Sequence, residues 1–308
     1  MSIMSRRSGS LWLADLRMRL THVHAPARTV GLSPMNQDQD SGPPPESGPW
    51  HNDRLGPKPV LLVHGAWHGA WCWELVVAAL TERGIRAVAI DLPGHGIDEG
   101  PLTDLAGDAD RVGRALDAFD EPVVLVGHSY GVVITQAGMH PQVSELVYLA
   151  SFNVDETESA LSAAIGESEA AALDHADRPD ALAQIHIADD GTSTIDADGA
   201  RVLFYNDCPG ELADRAVARL GPHFMASLSQ IPSAVAWRHP PSTYAVCTLD
   251  NIVHPELQRI LARRADHLVE WPTGHSPFLS RPDLVADLLV AVAGGDRKGR
   301  RWSGYDRS

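Results

Sequence analysis

Five consecutive residues, Gly127-His128-Ser129-Tyr130-Gly131, set a hydroxyl between two glycines where an apolar run, 123–126, gives way to Val-Val-Ile-Thr-Gln-Ala, a segment suited to a helix. A strand that turns this sharply into a helix lifts the serine side chain to the top of a sheet, and glycines at 127 and 131 leave room for the turn. The same turn frees the Tyr130 amide to donate to an oxyanion developing on a substrate carbonyl. A serine hydroxyl is a weak nucleophile until a base takes its proton, so the pattern calls for a histidine and for an acid that orients it.

Fifteen histidines compete for that role. His275, in EWPTGHSPFLSRPDLV, falls just after the last expected strand and just before the last expected helix, which puts it at the same sheet edge as Ser129. His140, His175, His186, His223 and His239 fall in helical or inserted segments, and neither His254 nor His267 sits on a loop that follows a strand. Asp250, in TYAVCTLDN, follows the penultimate strand by two residues and is the expected acid. Asp155 and Glu156, beyond the strand ending at Leu149, are its rivals. The loop His64-Gly65-Ala66-Trp67-His68-Gly69 follows the first strand, so the Ala66 amide is the expected second oxyanion donor, with His64 and His68 bracing the turn. Asp91, in IDLPGHG, is expected to stabilise its own loop.

These residues need a sheet to position them, and the chain supplies one. Apolar runs at 59–63, 86–90, 123–126, 146–149, 244–248 and 267–271 read as buried strands. Helical spacing is expected over 71–83, 105–119, from Tyr130 onward, and over 255–264 and 282–293. Continuous apolar strands alternating with helices imply an α/β fold whose sheet of about six mostly parallel strands is covered on both faces. Between 152 and 237 no strand of that buried type occurs, and the stretch is far too long for a structureless loop. It is expected to form a helical cap over the carboxyl ends of the strands, with Trp67, Phe204, Tyr205, Phe224, Met225 and Trp237 lining an apolar pocket. The expected organisation is a disordered extension over 1–56, a core over 57–151 and 238–295, the cap over 152–237, and a flexible tail over 296–308.

Charge and composition limit the function classes. The net charge is −15, and residues 1–34 carry +4 and residues 296–308 carry +3, which leaves −22 on residues 35–295. So acidic a body argues against a nucleic-acid partner, which would need a basic face. No apolar run approaches the ~20 residues that span a bilayer. Cys72, Cys208 and Cys247 lack metal-site spacing, and a reducing cytoplasm fits them. An arginine pair, Arg6-Arg7, precedes only a four-residue apolar patch, shorter than the ~7–15 residues of a signal-peptide core. Export through that pair is the alternative, and Met35 is a candidate true start.

The stretches PVLLVHGAWHGAWCWELVVAALTERGIRAVAIDLPGHG, VVLVGHSYGV and YAVCTLDNIVHPELQRILARRADHLVEWPTGHSPFLSRPDLVADLL resemble the α/β-hydrolase superfamily, and within it the branch of methylesterases, bacterial carboxylesterases and plant hydroxynitrile lyases. FYNDCPGELADRAVARLGP is similar to a cap segment of that branch, so the likeness runs from about Pro59 to Ala293. It implies a triad of Ser129, Asp250 and His275, an oxyanion hole from the Ala66 and Tyr130 amides, and acyl transfer from a small carboxylic ester to water without metal or organic cofactor. The lyases carry a threonine directly after the first histidine and a lysine directly after the catalytic one; here those positions are Gly65 and Ser276. Dehalogenases and epoxide hydrolases of this fold need an aspartate where Ser129 stands. A slow or non-catalytic small-molecule receptor, a cofactor-free perhydrolase and a carbon–carbon hydrolase keep the same triad and stay open as alternatives.

Overall fold

The computed structural model describes residues 56–171, 179 and 181–295, so the expected extension (save Gly56) and tail lie outside the described residues. Six strands form one parallel sheet: β1 (Val60–Val63), β2 (Ala87–Ile90), β3 (Val123–His128), β4 (Val143–Leu149), β8 (Ser242–Cys247) and β9 (His267–Trp271), in the spatial order β2-β1-β3-β4-β8-β9. Leu61, Leu62, Val124, Leu125 and Val126 are fully buried because helices cover the sheet. Each such aliphatic side chain contributes roughly 1.5–3 kcal/mol. The covering helices include α1 (Glu74–Glu82), α2 (Leu105–Leu116), α3 (Val132–Ala137), α8 (Pro255–Ala262) and α10 (Pro282–Ala293). Asp104 starts α2 by accepting the Gly107 amide, and Pro282 opens α10, where its missing N–H is no loss.

Parallel register brings the strand ends to one edge. Val63 pairs with Gly127, Leu149 with Ala245, and Cys247 with Trp271. The loops leaving β1, β3, β4, β8 and β9 therefore emerge side by side, and every candidate catalytic residue lies on one of them. Ligands in sheets of this kind bind at that edge.

The expected elements form with shifted ends. The 71–83 helix is a 3-10 turn at Ala70–Trp73 followed by α1, and the helix expected from Tyr130 begins at Val132 because the tight turn occupies Ser129 to Gly131. β4 starts three residues earlier than its apolar run, since Glu145 is accommodated by an ion pair with Lys58, 3.1 Å apart.

The segment between β4 and β8 holds the helices expected of a helical cap and adds a small sheet that was not expected. It contains α4 (Ala160–Ala171), α5 (Ala197–Phe204), α6 (Gly210–Val217) and α7 (Met225–Ser229), but also an antiparallel sheet of β5 (Ile185–Ile187), β6 (Thr192–Ile195) and β7 (His223–Phe224). These strands are two to four residues long and largely half-exposed, so they give no buried apolar run. The turn between β5 and β6 ends on Gly191 at φ 84°, a left-handed conformation that glycine adopts freely.

Candidate active site

Ser129 directly follows β3 and holds φ at 52°. A left-handed backbone costs a non-glycine residue ~1–2 kcal/mol, so surrounding contacts must enforce it. They come from the neighbouring strand: the Ser129 amide donates to the Leu149 carbonyl, 3.2 Å, and the Ser129 carbonyl accepts the Phe152 amide, 3.0 Å, and the Ser151 hydroxyl, 3.3 Å. The glycines are required by space. A Cβ at Gly131 would overlap Ser151 Oγ, one at Gly127 would come within 2.8 Å of the Ile134 side chain, and one at Gly65 within 2.8 Å of Ser129 Cβ.

Asp250 and His275 are both buried, at 0% and 1% exposure, and His275 Nδ1 lies 2.7 Å from Asp250 Oδ2. Facing a carboxylate oxygen, Nδ1 carries the proton and Nε2 keeps its lone pair. Nε2 is buried without a hydrogen-bond partner among the described residues. Asp250 is held as an acceptor on every side: Oδ1 takes the Ile252 and Val253 amides at 2.8 and 3.0 Å, and Oδ2 also takes Gln258 Nε2 at 2.8 Å. The rival acids are elsewhere. Asp155 and Glu156 both pair with Arg238.

The base loop is tied to the serine turn by His128. Its Nε2–H donates to the His275 carbonyl, 2.9 Å, and its ring packs 4.5 Å from the His275 ring. No hydrogen bond joins Ser129 Oγ to His275 Nε2 here, the one link of the relay left unclosed; without substrate such bonds are often long.

The amides of Ala66 and Tyr130 have no acceptor among the described residues. The loop bearing Ala66 is braced as expected. His64 donates from Nδ1 to the Gly65 carbonyl, 2.8 Å, and accepts the Leu92 amide at Nε2, 3.1 Å. His68 donates from Nδ1 to the Ala66 carbonyl, 2.8 Å, so its Nε2 accepts the Tyr205 hydroxyl, 2.9 Å. Burial pushes the His68 imidazole down to about 4, so both braces stay neutral at pH 7; that of His64 also falls well below the usual range. Asp91 accepts the Ala70 and Ile97 amides, fixing its own loop. Trp67 sits at φ 62°, unusual for so bulky a residue, and is pinned by Nε1–H donating to Ser193 Oγ, 3.1 Å, and by its carbonyl accepting the Gly221 amide.

The expected pocket residues separate into two groups. Phe204 stands 5.7 Å from the His275 ring and 5.9 Å from Trp67, and Tyr205 packs behind it against His68. Met225 is buried at the start of α7, and Phe224 is half-buried against Gly191. Trp237 is not brought to this cluster: its Nε1–H donates to the Val154 carbonyl and its face carries the Arg238 and Arg264 guanidiniums.

Tyr130 adds a polar anchor beneath the turn. Its hydroxyl donates to Asp108 Oδ2, 3.0 Å, while Thr103 Oγ1 donates to Oδ1, 2.6 Å. Burial raises the Asp108 carboxyl to about 6. Sequence reasoning did not find Asp108, His128 or Gln258. Gln258 is a lone polar residue on the inward face of α8, three positions from its first residue, and nothing in helical spacing tells such a residue from a solvent-facing one.

A family model described as "Alpha/beta hydrolase family" matches residues 60–288. Among curated proteins, the chain is 29% identical over 252 residues to "Alpha/beta hydrolase nvfD" of Aspergillus novofumigatus, covering 76% of this chain and 96% of that one. It is also 29% identical over 252 residues to "Methylesterase 2" of Arabidopsis thaliana, with 76% and 95% covered. Among solved structures, a pyrethroid hydrolase from Sphingobium faniae JZ-2 superposes with a TM-score of 0.66 at 23% identity, over 79% of this chain and 99% of that one.

Proposed function

Because the chain belongs to the alpha/beta hydrolase family, we propose that it is a serine hydrolase that cleaves small carboxylic esters, methyl or aryl and alkyl esters, through an acyl-enzyme. The observation that carries this reading is the Asp250–His275 pair with a lone-pair-bearing Nε2, set at the same edge as a strained serine flanked by two unpaired amides. The likeness to a plant methylesterase points the same way.

Ser129 Oγ attacks the ester carbonyl as His275 Nε2 takes its proton. The carbonyl oxygen becomes an oxyanion held by the Ala66 and Tyr130 amides, and Asp250 stabilises the imidazolium through Nδ1–H. Collapse breaks the bond to the alkoxy oxygen, which leaves with the proton from His275. Water then donates its proton to His275 and attacks the acyl carbon. The second collapse returns that proton to Ser129 and releases the acid. Trp67 and Phe204 form an apolar wall next to His275.

The finer readings rest on sequence and chemistry. We place the protein in a reducing compartment, the cytoplasm, which its three free thiols suit. Its partner is a small ester rather than a nucleic acid, as the −22 charge of residues 35–295 favours. No helix among the described residues is long and apolar enough to cross a membrane. The test is a panel of p-nitrophenyl, methyl and aryl esters with wild type and Ser129→Ala. Wild-type turnover abolished in the variant is expected, and equal rates from both would remove Ser129 from the reaction.

A further inference from the structure

Four consecutive cap residues, 204–207, touch the oxyanion, acid and base loops that the proposed reaction uses. Phe204 packs on Trp67 and near His275, and the Tyr205 hydroxyl donates to His68 on the oxyanion loop. Asn206 Nδ2 donates to the carbonyl of Leu249, 2.9 Å, the residue before Asp250. Asn251, the residue after Asp250, returns the contact by donating its Nδ2–H to the carbonyl of Val202 on α5, 2.9 Å. Asp207 Oδ2 accepts the amide of Gly274, 2.7 Å, the residue before His275, and also the hydroxyl of Ser280, 2.8 Å. Ser280 closes α9 (Pro277–Ser280), the short helix that carries the chain away from His275.

We propose that Asn206 and Asp207 are positioning residues, forming a clasp through which the cap sets the spacing of the acid and base loops and thereby the orientation of His275 toward Ser129. The inference rests on the serine-hydrolase reading and deepens it. Sheet register fixes where β8 and β9 end, and Asp250 and His275 lie three and four residues beyond those ends; the Leu249 amide still donates to the Thr273 carbonyl, 2.9 Å, and the Asp250 amide to the Cys247 carbonyl, 3.3 Å, but no such backbone bond reaches Gly274 or His275 among the described residues. Their mutual bond and the Gln258 contact fix the acid. The His275 loop, by contrast, receives its carboxylate anchor from the cap at the Gly274 amide. Bonds to a carboxylate are the stronger kind. Gly274 is part of the fit: a Cβ there would overlap Asn206 Oδ1 and Asp207 Oδ1, so only glycine lets the cap approach this closely.

A clasp of this kind acts on the chemical step rather than on affinity, since it touches the loops and not the ester. A displacement near 1 Å at a reacting group can cost ~100-fold in rate. The test compares Asp207→Ala, Asp207→Asn, Asn206→Ala and Gly274→Ala with wild type on p-nitrophenyl acetate, reading kcat and KM separately, together with the rate of Ser129 labelling by a fluorophosphonate and the melting temperature. Asp207→Ala and Gly274→Ala are expected to lower kcat and the labelling rate by about tenfold to a hundredfold while KM stays within about twofold. Asp207→Asn, which keeps one acceptor oxygen, should recover part of the loss. If Asp207→Ala does not fold, Asp207→Asn and Gly274→Ala carry the test. Unchanged kcat in folded variants, a rise in KM alone, or a loss that merely follows a lowered melting temperature overturns the clasp while leaving the serine hydrolase intact. Absence of both turnover and labelling in wild type overturns the hydrolase reading itself, and the clasp with it.

Discussion

Replacing Asp250 by asparagine changes one oxygen to an amide nitrogen, and the surroundings decide where that nitrogen goes. Oδ1 faces two backbone donors, Ile252 and Val253, so the remaining oxygen must stay there. The new NH2 then occupies the Oδ2 site, facing His275 Nδ1–H at 2.7 Å and Gln258 Nε2–H at 2.8 Å. Gln258 cannot turn over to relieve the clash, because its Oε1 accepts the Cys247 amide, 2.9 Å, and its Nε2 donates to the Val253 carbonyl, 2.7 Å. The accessible relief is a change of His275 tautomer, which moves the proton to Nε2 and abolishes the base. An acid-to-amide exchange that traps the wrong tautomer costs about 10⁴-fold in kcat. The contact with Gln258 Nε2–H stays opposed, and one such buried mismatch lowers stability by about 1–3 kcal/mol. Steady-state kcat on p-nitrophenyl acetate for wild type and Asp250→Asn, with a thermal melt on the same samples, checks both effects. A folded Asp250→Asn enzyme that keeps more than roughly a tenth of wild-type kcat would refute the tautomer reasoning, because a loss near 10⁴-fold is required.

Three further outcomes follow from packing and burial. Gly65→Ala places a methyl group within 2.8 Å of Ser129 Cβ and 2.9 Å of His128 Nδ1, so the turn or the oxyanion loop must move; kcat should fall by about 100-fold, what loss of a well-placed oxyanion donor brings, with the fold retained by circular dichroism. The buried histidines make stability depend on pH. His64, His68, His128 and His223 all titrate below the ordinary range because burial disfavours their charged form, His68 at about 4. The unfolded chain takes up those protons near pH 6.5 and the folded chain does not, so their contribution is complete above pH 6.5 and is lost as pH falls toward 4, by up to about 1.4 kcal/mol per group per pH unit. Asp108 works in the opposite sense: raised to about 6, it favours the fold below the unfolded carboxylate range and loses that contribution as pH climbs through 6. Thermal melts should therefore show the melting temperature dropping from pH 7.5 to pH 5. Asp108→Asn should be more damaging at pH 5 than at pH 8. A melting temperature flat across this range would contradict the histidine assignment.

The strands were legible because buried parallel strands read as continuous apolar runs. The six runs expected at 59–63 through 267–271 correspond to β1, β2, β3, β4, β8 and β9. The Ser129 turn was legible for a related reason, since two glycines at a strand-to-helix junction have a steric purpose that the Ser151 and Ile134 side chains make visible. The small cap sheet left no such trace: Ile185, His186 and Ile187 are half-exposed or exposed, so β5 carries no buried alternation. Residues acting through long-range contacts were the hardest to read. Gln258, His128, Asn206 and Asp207 take their meaning from partners such as Leu249, Gly274 and His275, and sequence spacing carries no record of those pairings. Trp237 shows the converse: an aromatic in the cap that joins no cluster with Phe204, because Arg238 and Arg264 hold it against the Val154 carbonyl.

Acylation of Ser129 with His275 as its base is caught by trapping the covalent bond itself. Wild type, Ser129→Ala and His275→Ala are each incubated with a fluorophosphonate, and the site of attachment is mapped by peptide mass spectrometry. A single adduct on the peptide bearing Ser129 in wild type, absent from Ser129→Ala and formed far more slowly in His275→Ala, is the predicted result. Attachment at another residue, or labelling of His275→Ala at the wild-type rate, would contradict it.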